Sequence, residues 1–232
     1  MQKTDSLVSG ILFDLDGTLV DSLADIAEAM NQTLAAKGYP THPVEDYRHH
    51  VGDGMDMLAR RTLPPEVRDR PEIREQTVRA MKRAYSDQWH KQSRPYPGIP
   101  ALLERLSRIR IRKGVLSNKP EEFTEVMVEH FFPETEWDTI RGARPGVPVK
   151  PDPLSALEIL EDWNLPPGRV LYVGDTRTDI ETAKNAGMPS IGVTWGFRDR
   201  EELQRFGADW IVDTPAKIDA LLCLPLGNPR TQ

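Results

Sequence analysis

The sequence is poor in several things, and each shortage excludes something. It has one cysteine, Cys223, in 232 residues, so no disulfide forms within the chain and a reducing compartment, the cytoplasm, is the expected location. No apolar run approaches the ~20 residues of a membrane-spanning helix. Basic residues are not in excess: 30 Lys and Arg against 36 Asp and Glu give a net charge of −6, which argues against a dedicated nucleic-acid binder with its basic face. Repeats and low-complexity tracts are absent. The opening Met1-Gln2-Lys3-Thr4-Asp5 is not expected to be a secretory leader, because Asp14 and Asp16 break the apolar stretch that follows it. What is left is a globular chain long enough to bury roughly 70–75% of its unfolded surface.

Short apolar runs alternate with helical patterns, which predicts an α/β fold with a parallel sheet. Ile11-Leu12-Phe13, Val115-Leu116, Val170 to Val173, Ser190 to Val193 and Trp210-Ile211-Val212 read as strands. Helices are expected over Pro120 to His130, Pro153 to Trp163, Thr178 to Ala186 and Arg200 to Phe206, with Gly187 and Gly207 at C-cap positions. From Val20 to about Ser93 the alternation stops and no strand is evident. Three helical faces appear there instead: Leu23, Ile26, Ala27, Met30 and Leu34; then Met55, Leu58, Ala59 and Thr62; then Ile73, Thr77, Met81, Ala84 and Tyr85 behind Pro71. A stretch of ~75 residues exceeds an ordinary crossover. The expected division is therefore a core of 1–18 and 94–232 with a helical insert at 19–93. Arg94 to Gly98 reads as a linker, and Leu19-Val20 and Arg94-Pro95 as hinges.

Four clusters carry chemistry. Asp14-Leu15-Asp16-Gly17-Thr18 follows the first strand, and its two carboxylates can enter the crevice at a strand's carboxyl end. Like charges so close need a cation or a shared proton; an acidic turn is the plain alternative. Gly174-Asp175-Thr176-Arg177-Thr178-Asp179 follows another strand. The two acidic pairs together suit an all-oxygen site for Mg²⁺, while helix capping by Asp175 or Thr178 accounts for part of the second. Ser117-Asn118-Lys119-Pro120 offers a hydroxyl, an amide and a helix N-terminus to an anion, or an ordinary cap. Lys150, between Val149 and Pro151, is either a binding lysine or a solvated one. The expected core carries 19 basic and 24 acidic residues and the insert 11 and 12. A phosphate facing four aspartates is repelled unless a divalent ion and Lys150 compensate.

In this order the four clusters resemble the motifs of the haloacid dehalogenase superfamily, over nearly the whole chain. Phe13 to Ser22, Tyr96-Pro97-Gly98, Ser117 to Pro120 and Val51-Gly52-Asp53-Gly54 are similar to stretches of phosphoglycolate phosphatases; Phe131 to Val149 matches least. The resemblance implies a doubly wound, Rossmann-like sheet with a helical cap in the position of the insert. It implies Asp14 as nucleophile forming an aspartyl-phosphate, and Asp16 as general acid and then base. Mg²⁺ would be held by Asp14, the backbone carbonyl of Asp16 and Asp175, with Asp179 in support. Thr18, Ser117, Asn118 and Lys150 would bind the phosphoryl group, and the Gly52-Asp53-Gly54 loop would face the substrate. The implied partner is a small phosphorylated metabolite, phosphoglycolate favoured, with no nucleic acid and no membrane, and the chain a monomer or homodimer.

A phosphomutase, nucleotidase or pyrophosphatase of the same build is open, and so is a phospho-accepting or phosphate-sensing module. Arg48, Arg60 and Arg61 either meet a substrate carboxylate or face water. His49-His50 reads as surface, and Trp89, Trp163, Trp195 and Trp210 as packing residues. Haloacid dehalogenases lack an acid at the position of Asp16, because a halide leaves without a proton. Asp16→Ala is therefore expected to lower phosphatase turnover by roughly 10²–10⁴-fold, the range of one general acid–base group. Unchanged turnover on an ester with a poor leaving group removes that role.

Overall fold

The computed structural model describes residues 8–222; Met1–Asp5 and Cys223 lie outside the described residues. The elements begin with β1 (Gly10–Phe13), β2 (Val20–Asp21), α1 (Leu23–Ala36), α2 (Tyr47–His50), α3 (Gly54–Thr62) and α4 (Pro71–Ser86). Then come β3 (Arg94–Pro95), α5 (Ile99–Arg108), β4 (Arg112–Pro120), α6 (Glu121–Phe131), β5 (Thr139–Ala143) and α7 (Leu154–Trp163). The chain continues through β6 (Val170–Gly174), α8 (Arg177–Ala186), β7 (Ser190–Val193), α9 (Arg200–Arg205), β8 (Trp210–Val212) and α10 (Pro215–Leu221). None of the described helices is long and apolar enough to cross a membrane.

Six strands form one sheet in the order β5-β4-β1-β6-β7-β8. Every pairing in it is parallel. Both faces are covered, and the period-2 alternation of side chains sorts the residues between them. Leu12, Leu116 and Tyr172 pack with Ile159 and Trp163 of α7 and Ala183 of α8. Ile11, Phe13, Val115 and Leu171 turn the other way, into a larger core with Leu102 and Leu106 of α5 and Met127 of α6. This is the doubly wound α/β architecture expected from the sequence. The winding reverses at β1, between β4 and β6, and the crevice at such a switch point is where ligands bind.

The strands expected around Ile11, Val115, Val170, Ser190 and Trp210 are all present. So are the three helical faces between Val20 and Ser93, as α1, α3 and α4, with α1 packed on α4. Four features depart from the sequence reading. Val20–Asp21 and Arg94–Pro95, expected as hinge and linker, pair antiparallel as a small ribbon. Two residues per strand are too few to leave an alternating pattern. Pro120 ends β4 in an extended conformation rather than opening a helix. Helix α5 was readable from Ile99, Leu102, Leu103 and Leu106 but not anticipated. Edge strand β5, Thr-Ile-Arg-Gly-Ala, is mostly half-buried and has no apolar run.

Two glycines on neighbouring strands make room for one indole. A Cβ on Gly10 would lie 2.8 Å from Trp163 Cζ3, and one on Gly114 would lie 2.9 Å from Trp163 Cζ2 and 2.7 Å from Leu12 Cδ2. The Trp163 Nε1–H donates to Thr139 Oγ1 at 3.0 Å, which ties α7 to the edge strand and fixes the ring. Gly114→Ala is expected to destabilise the fold by about 1–3 kcal/mol through overpacking, read as a lower urea midpoint. The penalty of Gly114→Ala is expected to be smaller when measured in a Trp163→Leu background, itself less stable than the parent; an equal penalty would show that the indole is not the obstacle.

Candidate active site

The carboxyl ends of β4, β1 and β6 bring the sequence clusters together. Asp14 follows β1 directly, Ser117 to Lys119 are near the end of β4, and Asp175 follows β6. One oxygen from each of Asp14, Asp175 and Asp179 falls within a 4.8 Å cluster, and all three residues are buried. Glycines permit the approach. Gly17 has φ +87°, and a Cβ there would meet the Asp175 carboxylate at 2.4 Å. A Cβ on Gly174 would meet Asp179 Cβ at 2.2 Å.

Each carboxylate is held differently. Asp175 accepts from the Thr18 hydroxyl at 3.1 Å through Oδ1 and from the Phe197 N–H at 2.7 Å through Oδ2. Asp179 is the third helical residue of α8, and its Oδ2 accepts from the Thr176 N–H and hydroxyl at 3.0 and 2.8 Å, closing a capping box. Capping is therefore real here, and it uses only one of the two Asp179 oxygens. The other accepts from Lys150 Nζ at 2.8 Å. Lys150 Nζ also stands 2.9 Å from Asp14 Oδ1, but this ion pair lacks hydrogen-bond alignment, and Asp14 Oδ1 is closed off from solvent without a hydrogen-bond donor.

The charge balance follows from this geometry. Burial pushes the Asp14 carboxyl up to about 6, with Asp179 and Asp16 adding to the rise and Lys150 opposing it. Burial, then Asp179 and Asp14, drive Asp175 well above the carboxylate range against the pull of Phe197 and Arg198. Lys150 shows the converse: burial disfavours its ammonium, yet Asp14 and Asp179 hold it well above its ordinary value. One lysine does not neutralise three buried carboxylates. A hard divalent cation fits this all-oxygen donor set.

Asn118 borders a cavity at the strand ends, with its side-chain amide engaged to backbone. Its amide donates to Lys150 O at 3.0 Å and its oxygen accepts from Lys150 N at 2.8 Å, which fixes the lysine's backbone. The same amide donates to Gly52 O at 3.1 Å. Ser117 is buried, and its Oγ accepts from the Lys119 N–H at 3.3 Å. Thr18, expected to contact substrate, is fully buried with its hydroxyl donated to Asp175. Asp16 stands outside the carboxylate cluster: Lys119 Nζ reaches both its oxygens at 2.9 Å, and the Ser22 hydroxyl donates to it at 2.5 Å. Lys119 lies against the Tyr85 ring, 4.6 Å from its centroid. The sequence reading did not single out Lys119, Ser22 or Tyr85, although Lys119 sits inside the quoted Ser117 to Pro120 string.

The Gly52-Asp53-Gly54 loop docks on these strand ends. Asp53 accepts from the Thr178 hydroxyl at 2.7 Å and pairs with Arg61. Arg61 and Thr178, with Arg177 nearby, hold Asp53 below its ordinary value although its burial acts the other way. Arg198 donates to Val51 O at 3.1 Å, and Arg48 to Gly196 O at 2.9 Å. Arg60 pairs with Asp69, so none of the three arginines weighed from the sequence presents an unpaired guanidinium. Between this loop, Tyr85 and the strand ends lies a cavity of about 50 Å³, bounded on one side by Asp14, Asp16 and Ser117.

The chain belongs to the haloacid dehalogenase-like hydrolases, which it matches over residues 11–193. Within that family it is an enzyme similar along its length to phosphatases. The phosphoglycolate phosphatase of Vibrio cholerae is 35% identical over 214 residues, covering 88% of this chain and 92% of that protein. A Haemophilus somnus structure described as a predicted phosphoglycolate phosphatase is 26% identical, with TM-score 0.86, covering 94% of this chain and 99% of that one. CbbY of Rhodobacter sphaeroides in complex with phosphate is 25% identical, with TM-score 0.77, covering 94% and 100%.

A divalent ion that relieves the carboxylate repulsion stabilises the fold by mass action, by about 2.7 kcal/mol at a hundred times its Kd. Adding Mg²⁺ to chelator-treated protein is expected to raise Tm, and Asp175→Asn to remove the rise. Without metal, Asp175→Asn is expected to match or exceed the parent in Tm, because it removes one buried charge from the cluster.

Proposed function

We propose that the protein is a Mg²⁺-dependent phosphatase for a small phosphomonoester, phosphoglycolate first among them, acting through phosphoryl transfer to Asp14. The observation that carries the reading is the buried Asp14 carboxylate at the cavity floor, beside Lys150 and the carboxylates of Asp175 and Asp179. The similarity to phosphoglycolate phosphatases supports the substrate. The cavity of about 50 Å³ suits a phosphoryl group with a short leaving group.

Asp14 attacks phosphorus in line as the bond to the leaving oxygen breaks, and Asp16 gives that oxygen its proton. Water then attacks the aspartyl-phosphate and Asp16 takes its proton. The bond from phosphorus to Asp14 breaks, releasing phosphate and restoring the Asp14 carboxylate and the protonated Asp16. Asp14, Asp175, Asp179 and the Asp16 backbone carbonyl would hold a Mg²⁺ ion, which would supply charge neutralisation to the phosphoryl oxygens. Lys150 stands beside Asp14 and orients one of those oxygens, while Ser117 and Asn118 keep the strand end and the lysine in register. Residues 19–93 act as a cap over a core of 1–18 and 94–232. The docked loop at Gly52 to Gly54 shields the cavity from bulk water and selects the leaving group.

The test is phosphate release from phosphoglycolate, sugar phosphates, nucleotides and pyrophosphate, with and without Mg²⁺, beside Asp14→Asn. The expected result is Mg²⁺-dependent turnover, highest in kcat/KM for phosphoglycolate, falling at least ~10³-fold in Asp14→Asn. No release from any compound, or release indifferent to Asp14→Asn, overturns the mechanism. A phosphorylated isomer accumulating from a sugar phosphate makes the enzyme a mutase instead.

A further inference from the structure

Asp16 is left out of the carboxylate cluster, and two donors hold it where it stands. Lys119 Nζ donates to both its oxygens at 2.9 Å, and the Ser22 hydroxyl donates to Oδ1 at 2.5 Å. Among the described residues these are the only hydrogen bonds to that carboxylate. The backbone beneath it is fixed separately. Leu15 O accepts from the Leu19 and Val20 N–H groups at 3.0 Å, and Val20 O accepts from the Gly17 N–H at 2.9 Å. An aspartate side chain on a fixed backbone still turns about two bonds. Lys119 and Ser22 are what stop it.

Lys119 is costly where it lies. Its side chain is only 3% exposed, and it shares the cavity wall with Ile26, Leu58, Met81 and Tyr85. Burial disfavours its charge, yet Asp16 and Tyr85 hold the ammonium above the ordinary lysine value. The Tyr85 hydroxyl points elsewhere, donating to Met127 Sδ at 3.5 Å, so it is the ring that faces the ammonium. A buried ion pair kept for stability alone is often replaced by apolar residues without loss, and this wall is otherwise largely apolar. The parts of the grip also come from two places. Lys119 belongs to strand β4 of the sheet, while Ser22 precedes α1 and Tyr85 belongs to α4. The grip is complete only where the helices between β2 and β3 meet the strand ends.

We propose that Lys119 is a positioning residue: with Ser22 it fixes the Asp16 carboxylate at the cavity that Asp14 also borders, so that one placement serves both the leaving oxygen and the attacking water. The inference rests on the phosphoryl-transfer reading above. Both proton-moving steps of that reaction pass through Asp16, and both take place beside Asp14. A misplacement of ~1 Å at such a group costs on the order of 100-fold in rate. Lys119 keeps its own proton throughout and acts only by holding Asp16. A substrate whose leaving group departs without a proton therefore escapes the first demand on Asp16 but not the second.

The experiment uses the full-length protein in Mg²⁺ with two compounds. One is the best alkyl phosphate of the panel above, whose alkoxide leaves only with a proton. The other is acetyl phosphate, whose acetate leaves without one. Radiolabel from acetyl phosphate retained on acid-quenched protein counts the phosphoenzyme. Lys119→Met is expected to lower turnover of the alkyl phosphate about 10–100-fold, yet to form the phosphoenzyme from acetyl phosphate as fast as the parent. The phosphoenzyme then accumulates, because its hydrolysis needs Asp16 in place. Ser22→Ala is expected to give the same pattern at about 2–10-fold, and it decides alone where circular dichroism shows Lys119→Met unfolded. Added to Asp16→Ala, Lys119→Met is expected to cost nothing more. Parent-like turnover in the variants, phosphoenzyme formation lost from folded Lys119→Met, or costs that multiply in the double variant overturns the proposal; the ion pair then only holds the fold. No phosphate release by the parent from either compound overturns the phosphoryl-transfer reading, and the proposal with it.

Discussion

Three buried carboxylates share one lysine, and much of the surrounding structure follows from that arrangement. Asp14, Asp175 and Asp179 come from two loops that meet only because Gly17 and Gly174 carry no side chain there. Their mutual repulsion is opposed by Lys150, whose backbone is gripped on both sides by Asn118. Burial and mutual repulsion raise Asp14 and Asp175 above the ordinary carboxylate range, so the cluster costs the bare fold free energy. Destabilised, preorganised charge is what phosphoryl transfer requires of a protein whose task is positioning and electrostatics.

A second ionic layer separates this cluster from the apolar wall. Asp16 faces Lys119 and Ser22 instead of the other aspartates, and Lys119 rests on Tyr85 of α4. The Asp16 carboxylate, proposed to exchange protons, thus stands apart from those that suit a cation. Asn118 has two tasks, because the amide that fixes Lys150 also holds Gly52 of the docked loop. A displacement of that loop is therefore felt at the lysine, so the covering segment and the anion-binding group are mechanically joined.

Much of this was legible in the sequence because short-range rules produced it. A buried parallel strand must be an apolar run, so β1 and β6 announced themselves, and the acidic pairs behind them marked the strand ends. The pairing of Asp175 with Thr18 was not legible, since it joins residues 157 positions apart. Nor was the division of labour within Asp179, one oxygen capping α8 and the other meeting Lys150. From sequence, capping and ligation were competing explanations; in the fold capping takes one oxygen and leaves the other in the carboxylate cluster. Strand β5 escaped because an edge strand need not be apolar, and the β2–β3 ribbon because it is too short to have a period. Lys119 was overlooked because its importance depends on Asp16, far away in the chain.

The β2–β3 ribbon has a consequence of another kind. Val20 pairs with Pro95 and Asp21 with Arg94, and the Tyr96 N–H donates to Leu19 O at 3.0 Å. The chain therefore leaves the sheet layer and returns to it at neighbouring points, one strand spacing of about 4.8 Å apart. Whatever is threaded between those points begins and ends in the same place, whatever its length or shape. Lengthening or shortening it away from the Val51 to Gly54 loop and Tyr85, which touch the strand ends, asks nothing of the six parallel strands. In lineages descended from such a chain, the strands that position the aspartates and the inserted residues that do not touch them are free to diverge at different rates, like a lock body that accepts new cylinders.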